Sequence, residues 1–342
     1  MTYSHLEQML VDALPAQLQE TDPGGLQSVL AHARWVSLDR GDVLFRRGDE
    51  ADALYVVVHG RLAVLPSDRN APASAHLGPG QTVGDWAVLT DARRSADVVA
   101  TRPTTLARLD RQRFERFANQ NAPFMRSMAA EVVRQHRDAG ATRSTAAIVT
   151  VIHLDEHDGT AVFAKDLAVG LERLSPTDIA GEQHAPDDRE MWLGDLERRA
   201  KIVLLSAPQT GSWQDWCVKH ADHVVLLASA DSSSTPTAAE RRLYEGDPRL
   251  RPLTTLVLLH DPQTELPNGT MRWLEPRQLS AHYHARLHHA GDSQRIARSI
   301  LGQGIGLVLA GGAALGAAHV GVIAALMQRG VPVDFVGGTS SG

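Results

Sequence analysis

Two clusters in this 342-residue chain carry residue types and spacings that chemistry can use. The first is Gly338-Thr339-Ser340-Ser341-Gly342, a Gly-x-Ser-x-Gly pentapeptide. That pattern sets a serine on a sharp strand-to-helix turn, with glycines on both sides because the tight backbone leaves no room for a side chain. Ser340 is the candidate nucleophile, framed by Gly338 and Gly342. Upstream, an apolar run at 307–310 leads into Gly311-Gly312-Ala313-Ala314-Leu315-Gly316. A helical stretch over 317–329 follows, stopped by Gly330 and Pro332. Backbone N–H groups in a glycine loop at a helix start can hold an oxyanion, so Gly311, Gly312 and Ala313 are the candidate donors. Ala313 is expected to resist the positive φ that a glycine would take there. Val333-Asp334-Phe335-Val336 is the strand expected to feed the serine.

The second cluster is Val83-Gly84-Asp85-Trp86-Ala87, followed by Arg93-Arg94-Ser95-Ala96. A cyclic phosphate carries one negative charge and needs an arginine fork together with backbone N–H groups at a short helix start. Arg94 and Gly84 supply these, and Asp85 offers an acceptor for a ribose hydroxyl. Two small residues, Ser95 and Ala96, follow the arginine.

The stretch over about 25–135 resembles the cyclic-nucleotide-binding domain family, with Gly84, Ala87, Arg94, Ser95 and Ala96 matching its phosphate-binding cassette. The resemblance implies that Arg94 grips the phosphate and Asp85 the ribose of cAMP or cGMP. Asp85 stands where the family has a glutamate one methylene longer, and Trp86 replaces an aliphatic residue. Residues 301–342 resemble the start of a patatin-like phospholipase domain, through Gly311, Gly312, Gly316, His319, Gly321, Asp334 and the Ser340 turn. Ala313 and Leu315 replace that family's third glycine and arginine. The resemblance implies a Ser–Asp dyad whose aspartate comes later, so the partner of Ser340 is absent from this sequence and the chain reads as an inactive fragment.

The order of these parts resembles the neuropathy target esterase family and its bacterial relatives. That implies a cyclic-nucleotide-regulated serine esterase acting on lysophospholipids or other lipid esters. No catalytic cofactor is implied, and the expected location is cytoplasmic, peripheral to a membrane.

These clusters need a scaffold. Hydrophobic residues make up 43% and charged residues 22%, ordinary for a folded soluble chain. The length predicts two or three domains. A net charge of −6 argues against a global nucleic-acid footprint. One cysteine, Cys217, excludes an intrachain disulfide. The fold class expected is multidomain α+β and α/β. Residues 1–140 should form a small β-barrel or sandwich with flanking helices, since 54–58 and 60–65 read as two short strands between turns, and the resemblance implies that it is a cyclic-nucleotide-binding β-roll. Helical periodicity brackets them at 6–14 and 111–138, and 139–145 reads as a linker. Residues 146–300 should form a doubly wound α/β domain, because 148–152, 202–205, 224–228 and 256–259 are continuous apolar runs suited to a buried parallel sheet. Its first loop, 153–160, sits where a P-loop would but lacks the glycines and lysine, so the scaffold reads as degenerate. Residues 301–342 supply the first βαβ unit of the patatin-like domain.

Two rival readings have their own signals. A non-catalytic cyclic-nucleotide sensor needs only the first domain, and a dinucleotide site could use the 311–316 glycines. The latter lacks the G-x-G-x-x-G order. His282, His284, His288 and His289 read as surface histidines and no metal site is assigned. The charged stretch 187–201 reads as a solvated helix face, and Cys217 as a buried small residue.

Overall fold

The computed structural model describes residues 33–68, 71–90, 92–120, 147–207 and 211–342. The periodic stretches at 6–14 and 121–138 and the linker 139–145 lie outside the described residues.

The first unit is an antiparallel roll. Its strands are β1 (Arg34–Leu38), β2 (Val43–Phe45), β3 (Ala53–Leu65), β4 (Ala75–Leu77), β5 (Thr82–Val83) and β6 (Asp97–Asp110). The path runs β1-β6-β3-β4, with β2 on β6 and β5 on β3. The two short runs expected at 54–58 and 60–65 are one strand. Gly60 takes φ +96 within it, and a Cβ there would lie 2.3 Å from the Pro103 carbonyl oxygen. The chain therefore kinks at a glycine instead of turning, and the pairing with β6 shifts register on either side. Helix α1 (Asp85–Thr90) follows β5, and α2 (Arg111–Gln120) follows β6. Alternate β3 and β6 residues, among them Tyr55, Val57, Val98 and Leu106, pack the interior.

The second unit is a parallel sheet. Its strands are β7 (Ala147–His153), β8 (Thr177–Gly181), β9 (Ile202–Ala207), β10 (His223–Ser229), β11 (Leu253–His260) and β12 (Ala281–Arg286). They lie in the order β12-β11-β10-β7-β9-β8. Val224 to Ala228 are wholly buried, as an apolar run covered on both faces must be. The helices are α3 (Asp158–Leu174), α4 (Arg189–Arg199), α5 (Ser212–His220), α6 (Ala238–Leu243), α7 (Met271–Leu274) and α8 (Ala290–Ile300). On α3, Phe163, Leu167, Ala168 and Leu171 fall on one face and meet the sheet. Gly170 lets α8 come close, since a Cβ there would lie 3.1 Å from the Ala297 Cβ. The other face of the sheet packs Trp213 and Cys217, both buried.

The third element is small. β13 (Gly306–Leu309) pairs in parallel with β14 (Phe335–Gly338), joined through α9 (Ala318–Gln328). The strand expected at 333–336 starts two residues later, because Asp334 is withdrawn into a bidentate pair with Arg298 of α8, at 2.8 and 2.6 Å. Val308, Val320, Met327 and Val336 are exposed here.

The stretch 187–201 is not a solvated face. It contains α4, whose Glu197 side chain is buried against the roll. Arg102, fully buried on β6, pairs with Glu197 and lies 3.6 Å from Asp222. Arg61 of β3 pairs with Asp222 at 3.0 Å. Arg40 donates to the carbonyls of Lys219 and Ala221 at 3.1 and 2.8 Å, placing a cation at the C-terminus of α5. A charged seam thus joins the roll to the parallel sheet.

Candidate functional sites

The cyclic-phosphate cassette closes one side of a cavity of about 220 Å³ lined by Phe45, Leu77, Gly84, Trp86, Arg94 and Ser95, among others. The structure brings Gly84, Asp85, Ala87, Arg94 and Ser95 together at its wall. Arg94 is buried and turned into the roll. Its Nη1 donates to the Gly84 carbonyl at 3.0 Å and its Nη2 to the Ala53 carbonyl at 2.5 Å. The guanidinium sits 4.2 Å from the Phe45 ring centre. Burial pushes its pKa down, against the pull of Tyr55 and Asp52. Gly84 takes φ +77, and a Cβ there would strike Arg94 Nη1 at 2.1 Å, so the glycine is what admits the guanidinium.

Asp85 is buried and already engaged. Its Oδ2 accepts from Thr82 Oγ1 at 2.7 Å, and its Oδ1 from the Trp86 N–H at 2.8 Å. Both carboxylate oxygens are thus committed within the wall. Trp86 stands 55% exposed at the rim, Ser95 is exposed and Ala87 is buried.

The serine turn has the strain its pattern demands. Ser340 takes φ +54, the left-handed region that costs a non-glycine residue about 1–2 kcal/mol. A Cβ on Gly338 would lie 2.3 Å from the Gly342 carbonyl carbon, and one on Gly342 would lie 2.1 Å from the Leu309 carbonyl oxygen. Both glycines are therefore sterically required. The glycine loop lies directly against this turn: a Cβ on Gly311 would be 3.1 Å from the Ser340 Cβ. The Gly312 N–H donates to Ser341 Oγ at 3.0 Å, so this donor serves the neighbouring serine. Ala313 does adopt a positive φ, +48, at the start of a 3-10 turn, contrary to the expectation from its Cβ. His319 Nε2 lies 2.8 Å from the Ala310 carbonyl and holds the loop from behind. Asp334 is committed to Arg298 and to the Ile305 N–H at 2.8 Å.

The first loop of the parallel sheet fills its own phosphate position. Asp155 Oδ2 accepts from the Ser229 N–H at 2.6 Å, and His157 Nδ1 accepts from the Gly159 N–H at 3.0 Å at the start of α3. A helix N-terminus occupied by its own side chains has lost the N–H group that would meet an anion.

The four clustered histidines do not act as one group. His284 is hydrogen-bonded to His260 at 2.8 Å, and His289 contacts Asp292 at 3.2 Å. Sequence reasoning passed over a different triad, His59, Glu190 and His220, which comes from three distant parts of the chain. No helix among the described residues is long and apolar enough to cross a membrane.

Comparison with known proteins gives these sites a context. A profile of the cyclic nucleotide-binding domain matches residues 35–121, and one of the neuropathy target esterase family P-loop-like domain matches residues 184–304. A lysophospholipase of Aspergillus fumigatus is 29% identical over 399 aligned positions, covering 90% of this chain and 26% of the relative. A lysophospholipase of Yarrowia lipolytica is 28% identical over 414 positions, covering 90% and 29%. The chain thus spans about a quarter of the length of the curated relatives it matches. Among solved structures, the regulatory domain of Toxoplasma gondii protein kinase A, crystallised with cAMP, is 25% identical. It covers 41% of this chain and 56% of its own, with a TM-score of 0.34.

Proposed function

The chain is that of a neuropathy-target-esterase-like protein with a cyclic nucleotide-binding domain, and on that premise we propose that it is the sensing and entry portion of a lysophospholipid-cleaving serine esterase. In this reading residues 1–140 sense a cyclic nucleotide, 146–300 form the degenerate P-loop-like scaffold, and 301–342 open the patatin-like domain. One observation carries the catalytic half: Ser340 held at positive φ with Gly311 packed against it. Strain of this kind persists where the surroundings enforce it, and it presents the hydroxyl outward.

The mechanism proposed is attack of Ser340 Oγ on the lipid ester carbonyl, breaking the ester C–O bond so that the alcohol portion leaves with the proton given up by the serine and the acyl group stays on Ser340. The oxyanion would be held by backbone N–H groups of Gly311 to Ala313, and the acyl-enzyme would then be hydrolysed by water. For Gly312 to take part, its N–H must leave Ser341. A serine needs a base, and Asp334 is spoken for by Arg298. We therefore assign the aspartate to sequence outside this chain. The expected setting is the cytoplasm, with contact to a membrane surface through the lipid substrate.

cAMP or cGMP would enter the cavity at Gly84, Ala87 and Ser95, with Arg94 swinging from the Gly84 carbonyl to the phosphate. The charged seam then offers a route for the roll to bias the scaffold by population shift. Titration calorimetry with cAMP and cGMP, alongside fluorophosphonate labelling of Ser340 with and without nucleotide, tests both halves. A second reading, a non-catalytic sensor, is favoured by the engaged Gly312 N–H and Asp334. Nucleotide binding with no hydrolysis by a longer chain carrying an Asp-Gly motif would select it.

A further inference from the structure

We propose that His59, Glu190 and His220 form a transition-metal site, suited to Zn²⁺, that bridges the roll and the parallel sheet. The three residues come from β3, α4 and the end of α5, and their donor atoms lie within 4.8 Å of one another. His220 Nδ1 lies 2.8 Å from the Trp216 backbone oxygen. That oxygen can only accept, so Nδ1 carries the proton and a neutral His220 points a bare Nε2 lone pair at Glu190. The separations are 2.9 Å to Oε1 and 3.0 Å to Oε2. An acceptor facing an acceptor at that range requires a cation between them, either a proton or a metal ion.

His59 points the same way. It is buried, its Nε2 lies 3.4 Å from Glu190 Oε2, and neither ring nitrogen makes an aligned hydrogen bond. With a carboxylate oxygen at each ring nitrogen and neither contact aligned, this buried imidazole is held by charge, which either a proton or a metal ion on Nε2 can supply. Behind it, Glu197 Oε2 lies 3.2 Å from Nδ1. A carboxylate behind one imidazole and a backbone carbonyl behind the other are the supports that orient metal-bound histidines.

The geometry agrees. Bond lengths of about 2.0–2.1 Å around a tetrahedral ion place neighbouring donors about 3.3 Å apart. Measured from the single donor Glu190 Oε2, the separations of 3.4 Å to His59 Nε2 and 3.0 Å to His220 Nε2 bracket that value. Two protonated imidazoles would add two positive charges beside the buried Arg102. One divalent ion adds the same charge but is held by three donors at once. Glu190 is half exposed, which leaves an entry route and a fourth position for water.

The test is titration of the chelator-stripped full chain with ZnCl₂, and separately with CoCl₂. One equivalent of Zn²⁺ should bind and raise the thermal midpoint. Co²⁺ should give the intense visible bands of a four-coordinate ion without thiolate character. Glu190→Gln, at a half-exposed position, should lose that step, whereas His282→Ala should keep it. Mg²⁺ should not compete, because two of the donors are nitrogen. A folded chain with no Co²⁺ bands, or bands that survive E190Q or vanish in H282A, overturns the site. The Co²⁺ spectrum of the unmodified chain decides even where a variant does not fold.

Discussion

The Arg102 guanidinium of the roll and the Glu197 carboxylate of the parallel-sheet unit form an ion pair with both side chains withdrawn from solvent. Burial alone would raise the Glu197 pKa, but Arg102 and His59 hold it down to about 2. Desolvating two charges offsets most of their attraction, so the pair is a poor source of net stability and a good source of register. Removing Glu197 leaves the Arg102 guanidinium buried with only Asp222 at 3.6 Å and the Gly60 carbonyl at 3.4 Å as partners. Glu197→Leu alone should cost about 3–5 kcal/mol in urea unfolding. Arg102→Met with Glu197→Leu should recover part of that loss. A double variant as unstable as the sum of the singles would show that the pair does not act as a unit.

His223 begins β10, with Nε2 2.9 Å from Thr255 Oγ1. Burial pushes its pKa down to about 4 from the ordinary 6.5, against the pull of Asp222. The folded state therefore favours the neutral ring, and the unfolded chain binds the proton first as pH falls. The stability is fully present above about 6.5 and is lost as pH drops toward 4. His76, His153, His260 and His284 are shifted the same way by burial. Unfolding midpoints between pH 7 and 4 should fall steadily. His223→Gln should flatten part of that slope, and a slope unchanged in H223Q would assign it to the other four histidines.

Signals that are local in sequence were legible, and signals that arise from distant pairing were not. The run 224–228 is apolar at every position, so a strand buried on both faces could be read without its neighbours. Gly338, Ser340 and Gly342 announce their turn because sterics within five residues fix it. Gly60 misled, because a glycine inside a strand and a glycine ending one look alike until the partner strand is placed. The charged seam gave no sign. Arg102 and Glu197 are 95 residues apart, and each looks like an ordinary surface charge among its neighbours. The His59 triad escaped for the same reason, with donors drawn from three elements. Asp85 was legible as an acceptor, but its engagement by Thr82 depends on how far the shorter side chain reaches.

Ser340 offers a test in which stability and chemistry move in opposite directions. A glycine at φ +54 carries no Cβ penalty, so Ser340→Gly should slow local opening of residues 305–342 in hydrogen exchange by about fivefold or more, reflecting roughly 1 kcal/mol of relieved strain. Ser340→Ala keeps the Cβ and should show no such gain. Gly338→Ala should act the other way, because its Cβ meets Gly342 backbone at 2.3 Å, a contact no rotamer relieves. Exchange in the 147–300 sheet should stay unchanged in all three. Protection in S340A equal to that in S340G would remove the strain argument.

Arg94 and Asp85 separate a working cassette from a vestigial one. Arg94→Ala removes the only guanidinium among the residues lining the cavity and should abolish cAMP binding in calorimetry. It should also lower the thermal midpoint, since the Ala53 and Gly84 carbonyls lose their donor. That double effect makes R94A alone ambiguous. Asp85→Glu is cleaner. The added methylene carries the carboxylate past Thr82 toward the cavity, and one charge-assisted hydrogen bond to a ribose hydroxyl is worth about tenfold in affinity. Tighter cAMP binding in D85E is the expected result, beside a thermal midpoint lowered by the Thr82 and Trp86 contacts that the carboxylate gives up. Weaker binding would mean that the Thr82–Asp85 contact is part of the wall the nucleotide needs, and that the shorter acid is the adapted one.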